Sequence, residues 1–238
     1  MIQHAMPLPQ PNEPIPQVHA GSLRLRLVGP SSDDRQPIER FIHACFAHSY
    51  RADVRWFMPY LIQLREASSD VPVAAMGYRF ADCGPLFLES YLDTPVETVL
   101  GRPRSEILEL GNLAAVRPGM LRWMILVLEV FLHELGGGQV VFTGSARLAN
   151  SFRRLGVSLT KIAEADPSRI PDAARFWGSY YQHRPAVFTG RLDRARPFRE
   201  TRLPSCRLYH QAVESARLEA LRLGRMAGLH RNNTGAAA

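Results

Sequence analysis

The stretch LELGNLAAVRPGMLRWMILVLEVF, residues 108–131, decides the fold of this chain. Residues 106–116 have the pattern of a buried β-strand, yet they include a glutamate, a glycine and an asparagine. The strand ends at Arg117, Pro118 and Gly119, and a strongly apolar helix is predicted for residues 120–135. Buried polar side chains are unfavourable unless they satisfy other polar groups or perform chemistry. We therefore expect a functional site at this strand.

Regular hydrophobic patterns on both sides of this stretch predict further strands and helices. The predicted strands are residues 23–28, 60–66, 71–80, 86–93, 139–144 and 185–192. The predicted helices are residues 38–50, 95–100, 146–155 and 207–229. Because strands and helices follow one another within one unit, the pattern indicates an α/β (α+β) fold.

Composition and charge limit the class of protein. The net charge is +7, and residues 191–238 contain 10 Arg and 4 Asp or Glu, a balance of +6, which leaves +1 for residues 1–190. We expect a disordered leader (1–22), one domain (23–192) and a basic tail with a helix (193–238), with no nucleic-acid partner. The three distant cysteines predict neither a metal site nor a disulfide framework. The longest apolar run, residues 123–132, is too short to span a bilayer, so a cytoplasmic protein is expected.

Several sequence blocks together carry a family resemblance. They are LFLESYLDTPVE (86–97), ELGNLAAV (109–116), VVFTGSARLANSFRRLGV (140–157), WGSYY (177–181) and PAVFTG (185–190). On these blocks, residues 23–192 resemble the bacterial thermostable hemolysin family. The order of elements across 107–157 is similar to the Gcn5-related N-acyltransferase (GNAT) superfamily and to acyl-homoserine-lactone synthases.

The resemblance implies a fold and an activity. The fold would be a GNAT-like mixed, mostly antiparallel central sheet flanked by helices. The activity would be transfer of an acyl group from acyl-CoA or an acyl carrier protein to a small amine, with no tightly bound cofactor. Two alternatives remain open: a catalytically inactive binding module, and a membrane-active protein as the family name suggests.

The resemblance also implies roles for the polar residues of the central strand. A bulge there would expose backbone N–H groups to the thioester carbonyl, and Gly111 is the predicted position because glycine tolerates the required dihedrals. The bulge would bring Glu109 and Asn112 to one side, where Glu109 would act as general base. In the alternative interpretation, Glu109 pairs with an arginine and Asn112 satisfies a buried backbone group.

The break after this strand is the predicted site for the donor. Backbone N–H groups at a helix N-terminus attract phosphate, and Arg117 and Arg122 add positive charge. The predicted donor-binding residues are Arg117, Gly119, Met120, Leu121, Arg122 and Ser145. VRPGMLRW departs from the Q/R-x-x-G-x-G/A loop of acyl-CoA enzymes, which favours a carrier-protein donor or a simple helix start. Ser145 would border the donor thioester or cap the next helix.

The segment LFLESYLD is the predicted acceptor side. Read as a strand, it would place Phe87, Glu89, Tyr91 and Asp93 on one face, with Glu89 as the next candidate base and Tyr91 and Asp93 as substrate-binding residues. Alternatively, this is an edge strand with a solvated face. Phe152 occupies the helix position where many GNAT relatives have a tyrosine that protonates the leaving thiolate.

Overall fold

Seven strands form one open sheet in the computed structural model, which describes residues 22–69, 71–135, 138–191 and 206–222. In chain order they are β1 (Leu23–Val28), β2 (Tyr60–Glu66), β3 (Pro72–Phe80), β4 (Ile107–Ala115), β5 (Gln139–Gly144), β6 (Leu159–Glu164) and β7 (Ala186–Arg191). Their spatial order is β1-β2-β3-β4-β5-β7-β6. The pairing of β4 with β5 is parallel, whereas the other described pairs are antiparallel.

Helices cover both faces of this sheet. They are α1 (Arg35–Tyr50), α2 (Val96–Leu100), α3 (Pro118–Glu134), α4 (Ala146–Arg154), α5 (Ala173–Trp177) and α6 (Arg207–Arg222). Helix α1 packs on one face through Ile38 and Ile42, while the apolar α3 packs on the other face in the largest core cluster. The predicted mixed, mostly antiparallel sheet flanked by helices is confirmed.

Two differences from the sequence-based prediction concern strands, and in addition the short helix α5 was not predicted. Residues 86–93 do not form a strand, because Phe87–Tyr91 is a 3-10 helix. Strand β6 was not predicted; it lies at the sheet edge, and its half-exposed sequence LTKIAE lacks a strong apolar alternation. Hydrophobic periodicity does not predict either element, because the residues that stabilise each one, Glu109 for Phe87–Tyr91 and strand β7 for β6, lie elsewhere in the chain.

Helix α6 packs on the same face as α3. Its residues Leu208, Ala212, Ala216 and Ala220 are buried at intervals of four, which places them on one helical stripe. The sequence-based boundary between domain and tail remains a prediction, and this packing favours counting α6 with the domain. Residues 1–21, 192–205 and 223–238 lie outside the described part of the chain. Nearly all of the predicted leader, residues 1–22, is therefore not described.

Candidate active site

Strands β4 and β5 separate partway along their length. They pair over Ile107–Leu110 and Gln139–Phe142, but the ladder ends there although β4 continues to Ala115 and β5 to Gly144. The carboxyl ends of both strands lie at the same edge, and α3 and α4 begin directly after them. A gap therefore opens in the middle of the sheet toward the N-termini of two helices, which is where open α/β sheets commonly bind ligands.

A β-bulge lies beside this gap. Ala75 pairs with Ala114 and Gly77 pairs with Gly111, so one residue of β3 stands opposite two residues of β4. The bulged residues are Asn112 and Leu113, and Asn112 takes a left-handed φ of 51°. The bulge is thus one residue beyond the predicted position, because asparagine is one of the few residues that tolerate this conformation.

The Asn112 side chain holds a loop over the bulge. Its Oδ1 accepts the backbone N–H of Met58 at 2.7 Å, and its Nδ2 donates to the carbonyl of Trp56 at 3.1 Å. Met58 covers the paired glycines: a Cβ atom on Gly77 would lie 2.4 Å from Met58 Cβ, and one on Gly111 would lie 2.5 Å from Met58 Cε. Gly77 is therefore needed for this close approach, whereas at Gly111 the nearest atom is the movable end of the Met58 side chain. Gly111 does not have a left-handed φ.

Glu109 anchors a second segment beside the same gap. The residue is 2% exposed, and its carboxylate accepts the backbone N–H groups of Phe87 at 3.0 Å and Leu88 at 2.8 Å. Burial raises the pKa of Glu109 to about 7, although the two backbone hydrogen bonds and Arg79 favour the charged form. The alternative of an arginine pair is not observed among the described contacts, since both carboxylate oxygens of Glu109 accept backbone N–H groups. Its role as a base remains a prediction.

A cleft of about 480 Å³ lies between these two anchored segments and continues into the gap. This volume is within the usual range of about 300–1,000 Å³ for small-molecule sites. On the α1 face the lining is aromatic and includes Tyr50, Trp177 and Tyr180. On the α3 face it is apolar and includes Ile125 and Phe152. Because its lining comes from both faces, the cleft runs through the sheet.

Few polar groups interrupt this lining. The Tyr91 hydroxyl is 2.6 Å from that of Tyr181, and burial raises the pKa of Tyr91. Ser145 caps α4 by accepting the N–H of Leu148 at 3.4 Å, while also bordering the cleft. The hydroxyl of Thr143 is buried at the end of β5 and has no hydrogen-bond partner within the described residues. A buried hydroxyl without a partner is unfavourable, so it is available to a ligand.

Two predicted acceptor-side residues lie outside the cleft lining. Glu89 accepts the N–H groups of Leu86 and Val96 and pairs with Arg104, whose hydrogen bond lowers the pKa of Glu89 to about 2. Asp93 is exposed and pairs with Arg169. The predicted common face of residues 87, 89, 91 and 93 is wrong, because side chains of a 3-10 helix do not alternate as they do in a strand.

The predicted donor-binding residues of α3 also lie outside the cleft lining. Arg117 bonds to Glu66 at 3.2 Å, although its buried Nε lacks a partner within the described chain. The N–H of Met120 already donates to the carbonyl of Arg117 at 3.1 Å. Gly119 and Arg122 are exposed, and Leu121 is half-buried against the core. Their role in binding a donor remains a prediction.

The sequence analysis did not identify Arg79, which lines the cleft. It lies in β3 directly opposite Glu109, and its Nη1 donates to the carbonyl of Pro85 at 2.5 Å. The available signal was an arginine within an otherwise buried strand, VPVAAMGYRF. Tyr50 was also missed, because only the fold brings the end of α1 beside α5.

No cluster of metal-binding side chains occurs within the ranges that the structure covers. Similarly, none of the helices described above has the length and apolar character needed to cross a membrane.

Comparisons with known proteins place the chain among related folds. The profile of the thermostable hemolysin family matches residues 28–196, whereas no curated protein sequence matches. The structure is similar to TofI in its apo form, with 14% identity, a TM-score of 0.51, and 71% of this chain and 91% of TofI covered. It is also similar to BjaI, a CoA-dependent acyl-homoserine lactone synthase solved with SAM and isopentyl-CoA, with 14% identity, a TM-score of 0.51, and 83% of this chain and 89% of BjaI covered. At such identities the likeness shows the fold.

Proposed function

The chain belongs to the thermostable hemolysin family, and we propose that it is an N-acyltransferase that moves an acyl group from acyl-CoA or an acyl carrier protein to a small amine. The observation that carries this proposal is the through-sheet cleft, which has an apolar half, a bulged strand and a buried carboxyl group of raised pKa. The fold shared with BjaI, which binds isopentyl-CoA, supports a thioester donor.

The two halves of the cleft suit the two parts of an acyl thioester. An acyl chain would lie against Ile125, Leu128, Phe142 and Phe152, which are buried on the α3 face. Removing such a chain from water is favourable by about 25 cal/mol per Å² of buried apolar surface. The pantetheine arm would leave through the open end of the gap, where two helix N-termini would favour the phosphate groups of the donor.

The bulge would stabilise the reacting carbonyl. A bulge leaves backbone groups of the extra residue without ladder partners. In the proposed reaction, the N–H groups at Asn112 and Leu113 face the thioester oxygen, which becomes negatively charged as the tetrahedral intermediate forms. Because Asn112 and Met58 fix this backbone from the α1 side, the donors are held in place before the reaction begins.

Glu109 would handle the proton of the acceptor. The amine nitrogen attacks the thioester carbonyl, the C–N bond forms, the C–S bond breaks, and the sulfur departs as thiolate. The acceptor first releases one proton from its ammonium group to water and attacks as the neutral amine. Glu109, directly or through water, then accepts a second proton from the attacking nitrogen and passes it to the departing thiolate, so no other reactant is needed. A carboxyl group with a pKa of about 7 suits both transfers near neutral pH.

The activity can be tested by incubating the full chain with thioesters of short and long acyl chains, on CoA and on carrier protein, together with a mixture of amines. Mass spectrometry should detect N-acyl products. Leu148→Trp, which fills the cleft, should abolish them, whereas Leu221→Trp, at an exposed position of α6, should not. The absence of amide product with every donor would contradict the proposal, and full activity of Leu148→Trp would place the reaction elsewhere.

A further inference from the structure

An arginine of strand β3 lines the α1 side of the cleft. Arg79 donates one hydrogen bond, from Nη1 to the carbonyl of Pro85, and forms no ion pair among the described residues. A guanidinium group carries five N–H donors, so most of its hydrogen-bonding capacity remains unused by these residues. Its charge acts on Glu109, but that carboxylate is already bound by two backbone N–H groups.

The position of Arg79 separates it from the expected phosphates of the donor. Arg79 is the register partner of Glu109, which lies in the paired part of β4, before the gap opens. The N-termini of α3 and α4 lie at the opposite, open end of the gap. An anion bound by Arg79 therefore belongs to the acceptor and not to the pyrophosphate of a CoA donor.

We propose, on the premise of the acyltransfer function above, that the acceptor is an α-amino acid whose carboxylate binds Arg79 while its amino group faces Glu109. Residues directly opposite on neighbouring strands have Cβ atoms about 5 Å apart. The two charged groups of an amino acid are bonded to the same carbon, so a neighbouring cation and carboxyl group can receive both. Guanidinium binds carboxylate through two parallel hydrogen bonds, which fixes the direction of the amine.

The surrounding charges favour a singly charged anion. The cleft is lined mainly by aromatic and aliphatic side chains. Among the described lining residues, Arg79 is the only arginine or lysine. One guanidinium balances one carboxylate, whereas a phosphate dianion would leave a charge uncompensated in this apolar site. Phe87 and Trp177 also line the α1 side, and their rings, 5.8 Å apart, offer an apolar surface to the amino-acid side chain.

The test compares matched acceptors. The full chain is given a thioester donor and either an equimolar mixture of the common α-amino acids or the corresponding mixture of amino-acid amides, and N-acyl products are quantified by mass spectrometry. Hydrogen bonds to a charged group predict roughly a ten- to hundredfold preference for the amino acids. Arg79→Gln should remove this preference, Arg79→Lys should retain part of it, and Arg40→Gln, on the exposed surface of α1, should keep it.

The outcomes separate the two proposals. Equal acylation of amino acids and amides by the wild-type chain, or an unchanged preference in a folded Arg79→Gln variant, would overturn the amino-acid assignment and leave the acyltransfer function standing. No product from any acceptor would overturn both. A preference that disappears in Arg79→Gln while acylation of the amides continues would establish the assignment.

Discussion

Replacing Glu109 by glutamine should change stability in a manner that depends on pH. Glu109→Gln keeps the shape of the side chain, but its amide nitrogen cannot accept a hydrogen bond, so one of the backbone N–H groups of Phe87 and Leu88 loses its partner. Loss of a partner for a buried donor costs about 1–3 kcal/mol. This effect is present at every pH.

The wild-type carboxyl group also makes a pH-dependent contribution to the free energy of unfolding. A pKa that rises from 4.5 to about 7 on folding corresponds to about 3 kcal/mol. Between these values the folded protein holds a proton that the unfolded chain has released, so this stabilisation is present at low pH and is lost as the pH rises toward 7. Glutamine does not titrate. The variant should therefore be less stable than the wild type near pH 4.5, and the difference should disappear or reverse above pH 7.

Urea unfolding of both proteins, followed by tryptophan fluorescence from about pH 4.5 to about pH 8, measures this difference directly. Other titrating groups are common to both proteins and cancel in the comparison. Glu106→Gln, at an exposed position, serves as the control and should change stability by less than about 0.5 kcal/mol. A Glu109→Gln difference that stays constant over this range would refute the raised pKa and with it the reason for choosing Glu109 as base.

Three further predictions concern the walls of the cleft and the last helix. Thr143→Val should leave stability unchanged or increase it, because the hydroxyl has no partner among the described residues, and it should weaken donor binding in calorimetry. The control Thr189→Val removes a hydroxyl that donates to the carbonyl of Val140, and it should lower stability by about 1–3 kcal/mol in urea unfolding. Asn112→Gly keeps the left-handed backbone but loses both loop hydrogen bonds, so the thermal midpoint should fall and kcat should fall as well, even at temperatures where the variant is fully folded. An unchanged kcat would argue against a role for the bulge. Truncation after Arg191 should yield an unstable or insoluble protein, because α6 covers the core; a soluble fragment with an unchanged midpoint would show that the tail is separable.

Sequence patterns predicted the elements whose own residues determine them. The strand ending before Arg117, the apolar helix after it and the helix capped by Ser145 all appear close to their predicted bounds. Phe87–Tyr91 could not be predicted as a 3-10 helix, because the groups that satisfy its first N–H donors belong to Glu109, more than twenty residues away.

The sequence predicted the candidate site only in part, because the residues of the site contact distant parts of the chain. The sequence indicated that Glu109 and Asn112 belong to an irregular strand, and both line the same cleft in the structure. Their actual contacts are with backbone groups of residues 56–58 and 87–88, which no local pattern identifies. The sequence does not show that Arg79 lies opposite Glu109, because this depends on the register of β3 against β4.

The central claim is that this cleft transfers an acyl group from sulfur to nitrogen. Its most direct test is a single-turnover reaction of the full chain with a thioester labelled with a heavy isotope at the carbonyl carbon, in the presence of amino acids, with the label followed by mass spectrometry. We expect the label to appear in an N-acyl amide, with one thiol released for each amide formed. Label found only in free carboxylic acid, or remaining in the thioester, would contradict acyl transfer from sulfur to nitrogen in this cleft.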